Sequence, residues 1–217
     1  MTAHIIEHLD QHLHLHPQKV LFWEEKATLI VSDVHFGKTK HFRKAGIAIP
    51  QAVQQQNLTE LESLFAYYNP KRVLFLGDLF HSRMSLHDLE DFVPFFERNN
   101  RFDLQLVLGN HDVLPISFYQ KLGIQYFEEI IEPPFHFTHE PLKTDATYYN
   151  VCGHIHPAIR LKGRAKQRLR LACFYFGPKQ GVLPAFGHFT GTFTLQMYKG
   201  YKIFAVADEV VVDVSVR

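Results

Sequence analysis

The sequence predicts an α/β chain, a sandwich of two mixed β-sheets flanked by helices. Three observations carry this expectation. Short apolar runs each end in a polar residue able to bind a metal, helix-period segments separate the first of these runs, and after Pro157 the texture becomes almost wholly β.

Taken in chain order, the N-terminal stretch alternates His8, His12, His14 and His16 with Leu13 and Leu15, which reads as a surface strand with its imidazoles in solvent. Five apolar runs follow at 27–33, 72–78, 104–110, 135–139 and 148–154. Strands that are apolar along their whole length are buried on both faces, as in a sheet covered by helices. Between the first two runs, residues 50–68 carry Val53, Leu58, Leu61, Leu64, Phe65 and Tyr68 at helical spacing, and Asn69-Pro70 ends the pattern. A second helix is expected from Ser85, a cap with Asp88 three residues on, through Leu86, Leu89, Phe92, Val93 and Phe96. Pro94 should kink or shorten it. Residues 168–176, 190–198 and 201–216, with a Lys199-Gly200 turn, read as antiparallel strands finishing a second sheet.

The 217 residues, 46% of them hydrophobic, suffice for one core, and no repeat or linker divides them; one domain over 1–217 is expected. A formal charge of +1 excludes a globally basic nucleic-acid binder, so any anion site must come from local clustering. Cys152 and Cys173 are too few for a disulfide scaffold and fit a reducing compartment. The N-terminus lacks a signal-like pattern and no run is long and apolar enough for a bilayer, so a cytoplasmic location without a membrane partner is expected.

The chemistry lies at five strand ends: Asp33 and His35, Asp78, Asn110 and His111, His139, and His154 and His156. Asn110-His111-Asp112 after a glycine and the His154-x-His156 pair carry some signal by themselves, whereas Asp33-x-His35 or Gly77-Asp78 alone reads as a polar turn. Together they do not, because ligands of α/β sheets gather outside the carboxyl ends of strands. Carboxylate, imidazole and amide donors, with Cys152 the only nearby thiol, suit catalytic Mn, Fe or Zn rather than structural zinc. If one carboxylate bridges, seven ligands hold two ions about 3.5–4 Å apart, a pair that clamps a phosphate and makes hydroxide available near neutral pH.

The ordered blocks Asp33-x-His35, Gly77-Asp78, Gly109-Asn110-His111-Asp112, His139 and Gly153-His154-x-His156 resemble those of the calcineurin-like metallophosphoesterase superfamily. The resemblance implies its two-sheet sandwich and a role for each matching position. Asp33, His35 and His156 would hold one divalent ion, Asn110, His139 and His154 the other, and Asp78 would bridge. His111 would serve as the acid that protonates the leaving oxygen or steadies developing charge. Flanking stretches, among them Leu21-Phe22-Trp23, Asp78-Leu-Phe-His-Ser82, His139-Glu-Pro141 and Pro184-Ala-Phe-Gly187, are similar to the ligase-associated DNA damage response endonucleases, the PdeM family. That similarity implies DNA processing, Mn2+ as the expected ion with Fe or Zn as alternatives, and functional association with an ATP-dependent DNA ligase, a helicase and an exonuclease. Asp112 replaces the Glu of phosphoprotein phosphatases, and His81-Ser-Arg83 replaces their Asp-Arg-Gly, which argues against that branch. Thr138 and Thr192 stand where glycines are expected.

A phosphodiester polymer needs cations beyond the metals. Arg160, Lys162, Arg164, Lys166, Arg168 and Arg170 offer one cluster, and Lys38, Lys40, Arg43 and Lys44 another. Phe36 and Phe42 lie among the latter, either to stack on bases or to pack. Leu161, Leu169 and Leu171 alternate with the first cluster as on a half-buried hairpin, whose solvated face is the rival account of its spacing. The expected substrate is DNA, single-stranded or locally open. The rival readings are a small nucleotide or nucleotide-linked lipid substrate, and a non-catalytic scaffold for repair partners; retention of all seven ligands and His111 speaks against the scaffold.

Overall fold

The computed structural model describes residues 1–44, 46, 52–81, 86–143, 146–163 and 168–216; Ser85, Arg164 and Lys166 lie outside them. The first sheet runs in sequence order: β1 (His4–His8), β2 (Gln11–Leu15), β3 (Leu21–Trp23), β4 (Thr28–Val31), β5 (Arg72–Leu76), β6 (Asp103–Val107) and β7 (Ile124–Phe127). It is antiparallel up to β4 and parallel from β4 to β7. The parallel half is the part whose strands are separated by helices: α1 (Lys38–Lys44) and α2 (Ala52–Tyr68), then α3 (Leu86–Glu90) and α4 (Val93–Arg98), then α5 (Ile116–Lys121).

Period-two alternation explains why these strands are apolar throughout. Leu29, Val31, Val73 and Phe75 face the helices with Leu61, Leu64 and Phe65, while Ile30, Leu74, Leu76 and Val107 face the second sheet. That sheet contributes Phe135, Phe137, Val151, Phe174 and Phe176 to the layer between the two. It contains β8 (Ile130–Glu132), β9 (Phe135–Phe137), β10 (Tyr149–Cys152), β11 (Pro157–Lys162), β12 (Arg168–Phe176), β13 (Gln180–Val182), β14 (Phe193–Thr194), β15 (Lys202–Ala207) and β16 (Val210–Asp213). β10 pairs in parallel with β9 and β13, and β12 pairs antiparallel with β11, β13 and β15, so the sheet is mixed.

Three expectations need correction. The N-terminal stretch is a hairpin, and His16 is buried beneath the Tyr67 and Tyr68 rings rather than solvated. The helix expected through Phe96 is two helices, because Pro94 has no N–H to continue one and fits instead in the first turn of α4. Residues 190–198 form only the two-residue strand β14, and 201–216 fold back as the β15/β16 hairpin. For Phe36 the structure decides between the two readings left open: it is fully buried among Phe80, Phe92, Phe95 and Phe96, so it packs and does not stack on a ligand.

Candidate metal centre

All seven expected ligands meet where the two sheets present their loops. The loops after β4 and β5 stay registered beyond the strand ends: His35 N–H donates to Asp78 O at 2.8 Å, Phe36 N–H to Leu79 O at 2.8 Å, and His81 N–H to Phe36 O at 2.9 Å. Gly153 N–H donates to His139 O at 3.0 Å and joins the loops of the second sheet. Chain crossings this close leave no room for side chains. A Cβ on Gly77 would lie 2.1 Å from His139 Nδ1, and one on Gly153 would lie 1.9 Å from Ser32 Oγ. The glycines of the two motifs are therefore required by close approach.

Five of the seven residues, Asp33, His35, Asp78, His154 and His156, sit at φ between 51° and 64°. Side-chain-bearing residues enter this left-handed region at about 1 kcal/mol or more each. Concentrating that strain at one point is what a site does when its geometry is imposed by surrounding packing.

The donors form two groups. In the first, Asp33 Oδ1 faces His156 Nε2 at 3.1 Å, with His35 close enough that one ligand atom from each of the three falls within 4.8 Å of the others. In the second, His154 Nδ1, His139 Nε2 and Asn110 Oδ1 are mutually 3.1 Å apart. Asp78 lies between them, its Oδ2 3.8 Å from His35 Nε2 and its Oδ1 3.5 Å from His139 Nε2.

The protonation pattern supports a cation at each group. His139 Nδ1 donates to Leu76 O at 2.9 Å and His156 Nδ1 to Gly191 O at 3.1 Å, which turns the Nε2 of each toward the amide and carboxylate oxygens of its group. Asp33 Oδ1, His156 Nε2 and both His35 ring nitrogens are buried and make no hydrogen bond to any described residue. Burial, with Lys38 second, pushes the His35 imidazole down to about 3, so its ring is neutral at physiological pH. Acceptors facing acceptors repel unless a cation sits among them, and carboxylate, imidazole and amide donors in open sets fit catalytic divalent ions. Cys152 is excluded from the set: its thiol is buried, pushed well up by burial, and contacts Gly181 O.

His111 sits at the rim, half-buried. Its N–H donates to Asp78 Oδ1 at 2.8 Å, and its ring stacks on His81 with centroids 5.7 Å apart and meets His35 edge-on at 5.3 Å. Three residues to which the sequence alone assigned no role at the site also build it. His81 brings a ring nitrogen near His35 and His111, and its place three residues after Asp78 in the same motif was the available signal. Ser32 hydrogen-bonds Asp33 Oδ2 and steadies the carboxylate. Asp112 accepts from Leu79 N–H at 3.1 Å, Phe80 N–H at 3.3 Å and Gly109 N–H at 2.9 Å, tying the Asn110 loop to the Asp78 loop.

Of the expected substrate cations, Lys38 is half-buried beside the centre; burial lowers its ammonium against the opposing pull of Asp78 and Asp33. Arg43 lies on α1, half-buried, whereas Lys40 of the same cluster is engaged by Asp88 at 2.8 Å and Asp91 at 3.0 Å. β11 and β12 pair Arg160 with Arg170, Leu161 with Leu169 and Lys162 with Arg168, so Arg160, Arg168 and Arg170 lie on one face of a hairpin whose other face packs on the core through Leu161 and Leu171. Arg160, Arg168 and Arg170 are exposed.

A model of the calcineurin-like phosphoesterases matches residues 27–203, a span that contains every one of these ligands. The chain belongs to the calcineurin-like phosphoesterase family. It is a metal-dependent phosphoester hydrolase with that family's two-sheet sandwich. No curated protein sequence matches it. Among solved structures, the nuclease MPE of Pseudomonas putida shares 29% identity over 98% of this chain and 100% of its own, with a TM-score of 0.82. The phosphoesterase Yfce of E. coli shares 12% over 88% and 99%, with a TM-score of 0.46. No helix among the described residues of this phosphoesterase is long and apolar enough to cross a membrane.

Proposed function

We propose that this phosphoesterase is a dinuclear-metal phosphodiesterase that cuts DNA internally, on single-stranded or locally open stretches, in DNA repair, with residues 1–217 acting as one domain. One observation carries the reading: seven donors converge as two open groups with Asp78 between them, on a chain of which 98% aligns with a nuclease at 29% identity. Asp33, His35 and His156 would hold one ion, Asn110, His139 and His154 the other, with Asp78 common to both and Mn2+ the expected metal. When bound, such a pair supplies Lewis-acid charge for a phosphate and an activated water.

The chain's own residues do the rest. Ser32 and Asp112 hold the carboxylate and the two loops in place. His111, at the rim, protonates the leaving oxygen or steadies its charge. Lys38 adds positive charge beside Asp33 and Asp78, and the exposed arginines of the β11/β12 hairpin begin four residues beyond His156, where neighbouring phosphates of a polymer would pass. Association with an ATP-dependent ligase, a helicase and an exonuclease belongs to the same reading.

The test is a parallel assay of metal-analysed protein on supercoiled plasmid, single-stranded DNA and bis-p-nitrophenyl phosphate. Cleavage of all three, with single-stranded DNA preferred, is expected. Hydrolysis of the small diester alone would move the substrate to a small nucleotide or a nucleotide-linked lipid.

A further inference from the structure

A cavity of about 610 Å³ lies on the face of the second sheet opposite the core between the two sheets. Tyr175, Tyr198, Tyr201 and Phe193 give it aromatic walls, and the charged groups among its described lining residues are Lys143 and Lys179. We infer that this cavity is a nucleobase subsite, which receives one or two unstacked bases of a single strand whose scissile phosphate lies at the metal centre. The inference rests on the DNA reading above and extends it to the part of the substrate that makes no contact with metal.

Continuity with the centre is the first argument. Ile155, which lines the cavity, is the residue between His154 and His156. Phe193 N–H donates to His156 O at 2.9 Å, and Gly191 O accepts from His156 Nδ1 at 3.1 Å, so the wall of the cavity hangs on one of the expected ligands.

The chemistry of the walls is the second. Tyr201 lies with its ring centroid 5.3 Å from that of Tyr175 and 5.4 Å from that of Tyr198. Tyr175 Oη donates to Gln196 O at 2.7 Å and Tyr198 Oη to Gln196 Oε1 at 3.3 Å, which fixes the rings before any ligand arrives. Phe193 is 64% exposed and Tyr198 48%, a large apolar exposure for a segment anchored on both sides. Aromatic faces flanked by cations bind single strands by stacking each base while the cations meet the backbone, and every base has a face to stack. The volume falls in the range of small-ligand pockets, enough for one or two bases.

Tyr198→Ala and Tyr198→Phe test this on the intact, metal-loaded protein with oligothymidylate and bis-p-nitrophenyl phosphate as substrates. The alanine variant should raise KM for the oligonucleotide about 5- to 150-fold, the usual size of a lost base stack, with kcat and small-diester hydrolysis unchanged. The phenylalanine variant should restore the wild-type KM, and an abasic residue beside the cleaved bond should raise the wild-type KM equally. An unchanged KM in the alanine variant would overturn the subsite while leaving the DNA reading intact, and would turn the cavity toward a protein partner. Equal losses on both substrates would reduce Tyr198 to a support of the metal centre and also overturn the subsite. Wild-type protein that hydrolyses the small diester but leaves the oligonucleotide whole would overturn the DNA reading and the subsite together.

Discussion

The backbone N–H of His111 donates to Asp78 Oδ1 at 2.8 Å, so the residue expected to handle the leaving group is fastened to the carboxylate expected to join the two ions. The same oxygen lies 3.5 Å from His139 Nε2. Asp78 is therefore held from the side of the acid and offered to both donor groups. Asp78→Asn should lower the metal content toward zero at both positions, measured by elemental analysis of the purified protein, and a variant that keeps two ions would contradict the bridging role.

His111→Asn tests the partner in that relationship. The bond to Asp78 comes from the backbone and survives the substitution, so metal content should stay at the wild-type level. Turnover should fall by about 10²-fold or more, the usual loss of a general acid. Parallel loss of metal would make His111 a ligand instead.

Asp112→Ala removes the acceptor of three backbone N–H groups in a buried position. At about 1 kcal/mol for each orphaned donor, unfolding free energy should drop by about 3 kcal/mol, and the thermal midpoint by about 6–12 °C. A midpoint within a degree of wild type would show that the two loops hold without this clamp.

His16 gives a pH signature separable from the metal centre. Burial lowers its imidazole to about 4, so the folded protein keeps the ring neutral while the unfolded chain protonates it near the ordinary value of about 6.5. Its contribution is complete above that value, is lost progressively as the pH falls from 6.5 to 4, and is flat below 4. Urea denaturation of metal-free protein across this window should therefore show a shallower pH slope in His16→Gln than in wild type. Identical slopes would place the His16 imidazole in an environment open to protons.

The hairpin arginines contribute, on this account, as phosphate contacts. Reversing Arg160, Arg168 and Arg170 to Glu should weaken the dependence of log KM on log salt for single-stranded DNA by about 2, near 0.7 for each lost contact, with bis-p-nitrophenyl phosphate unaffected. An unaltered slope would return the alternating cations to the plain role of a solvated hairpin face.

The expected metal donors were legible in the sequence because they stand within a few residues of the ends of apolar strands, and strand order carries them to one end of the sandwich. Asp33, Asp78 and Asn110 follow adjacent strands of the first sheet, while His139 and His154 follow adjacent strands of the second. Local pattern also placed the parallel strands and α2, whose apolar residues have one partner layer each. The outer face of the second sheet was not legible. Phe193, Tyr175 and Lys143 come together through long-range pairing that no local period encodes, and the short β14 is set by its bonds to His156 and Ala158 rather than by its own composition. Phe36 was ambiguous for a related reason: a phenylalanine beside a ligand can serve the site or the core, and only the surrounding rings decide.

The central claim is that the metal centre cuts DNA within a strand, and closed circular single-stranded DNA tests it most directly because it has no ends. Incubated with Mn2+-loaded protein, the circles should be converted first to full-length linear molecules and then to fragments, with Asp78→Asn inert. Circles that stay closed while the same preparation hydrolyses bis-p-nitrophenyl phosphate would contradict the account.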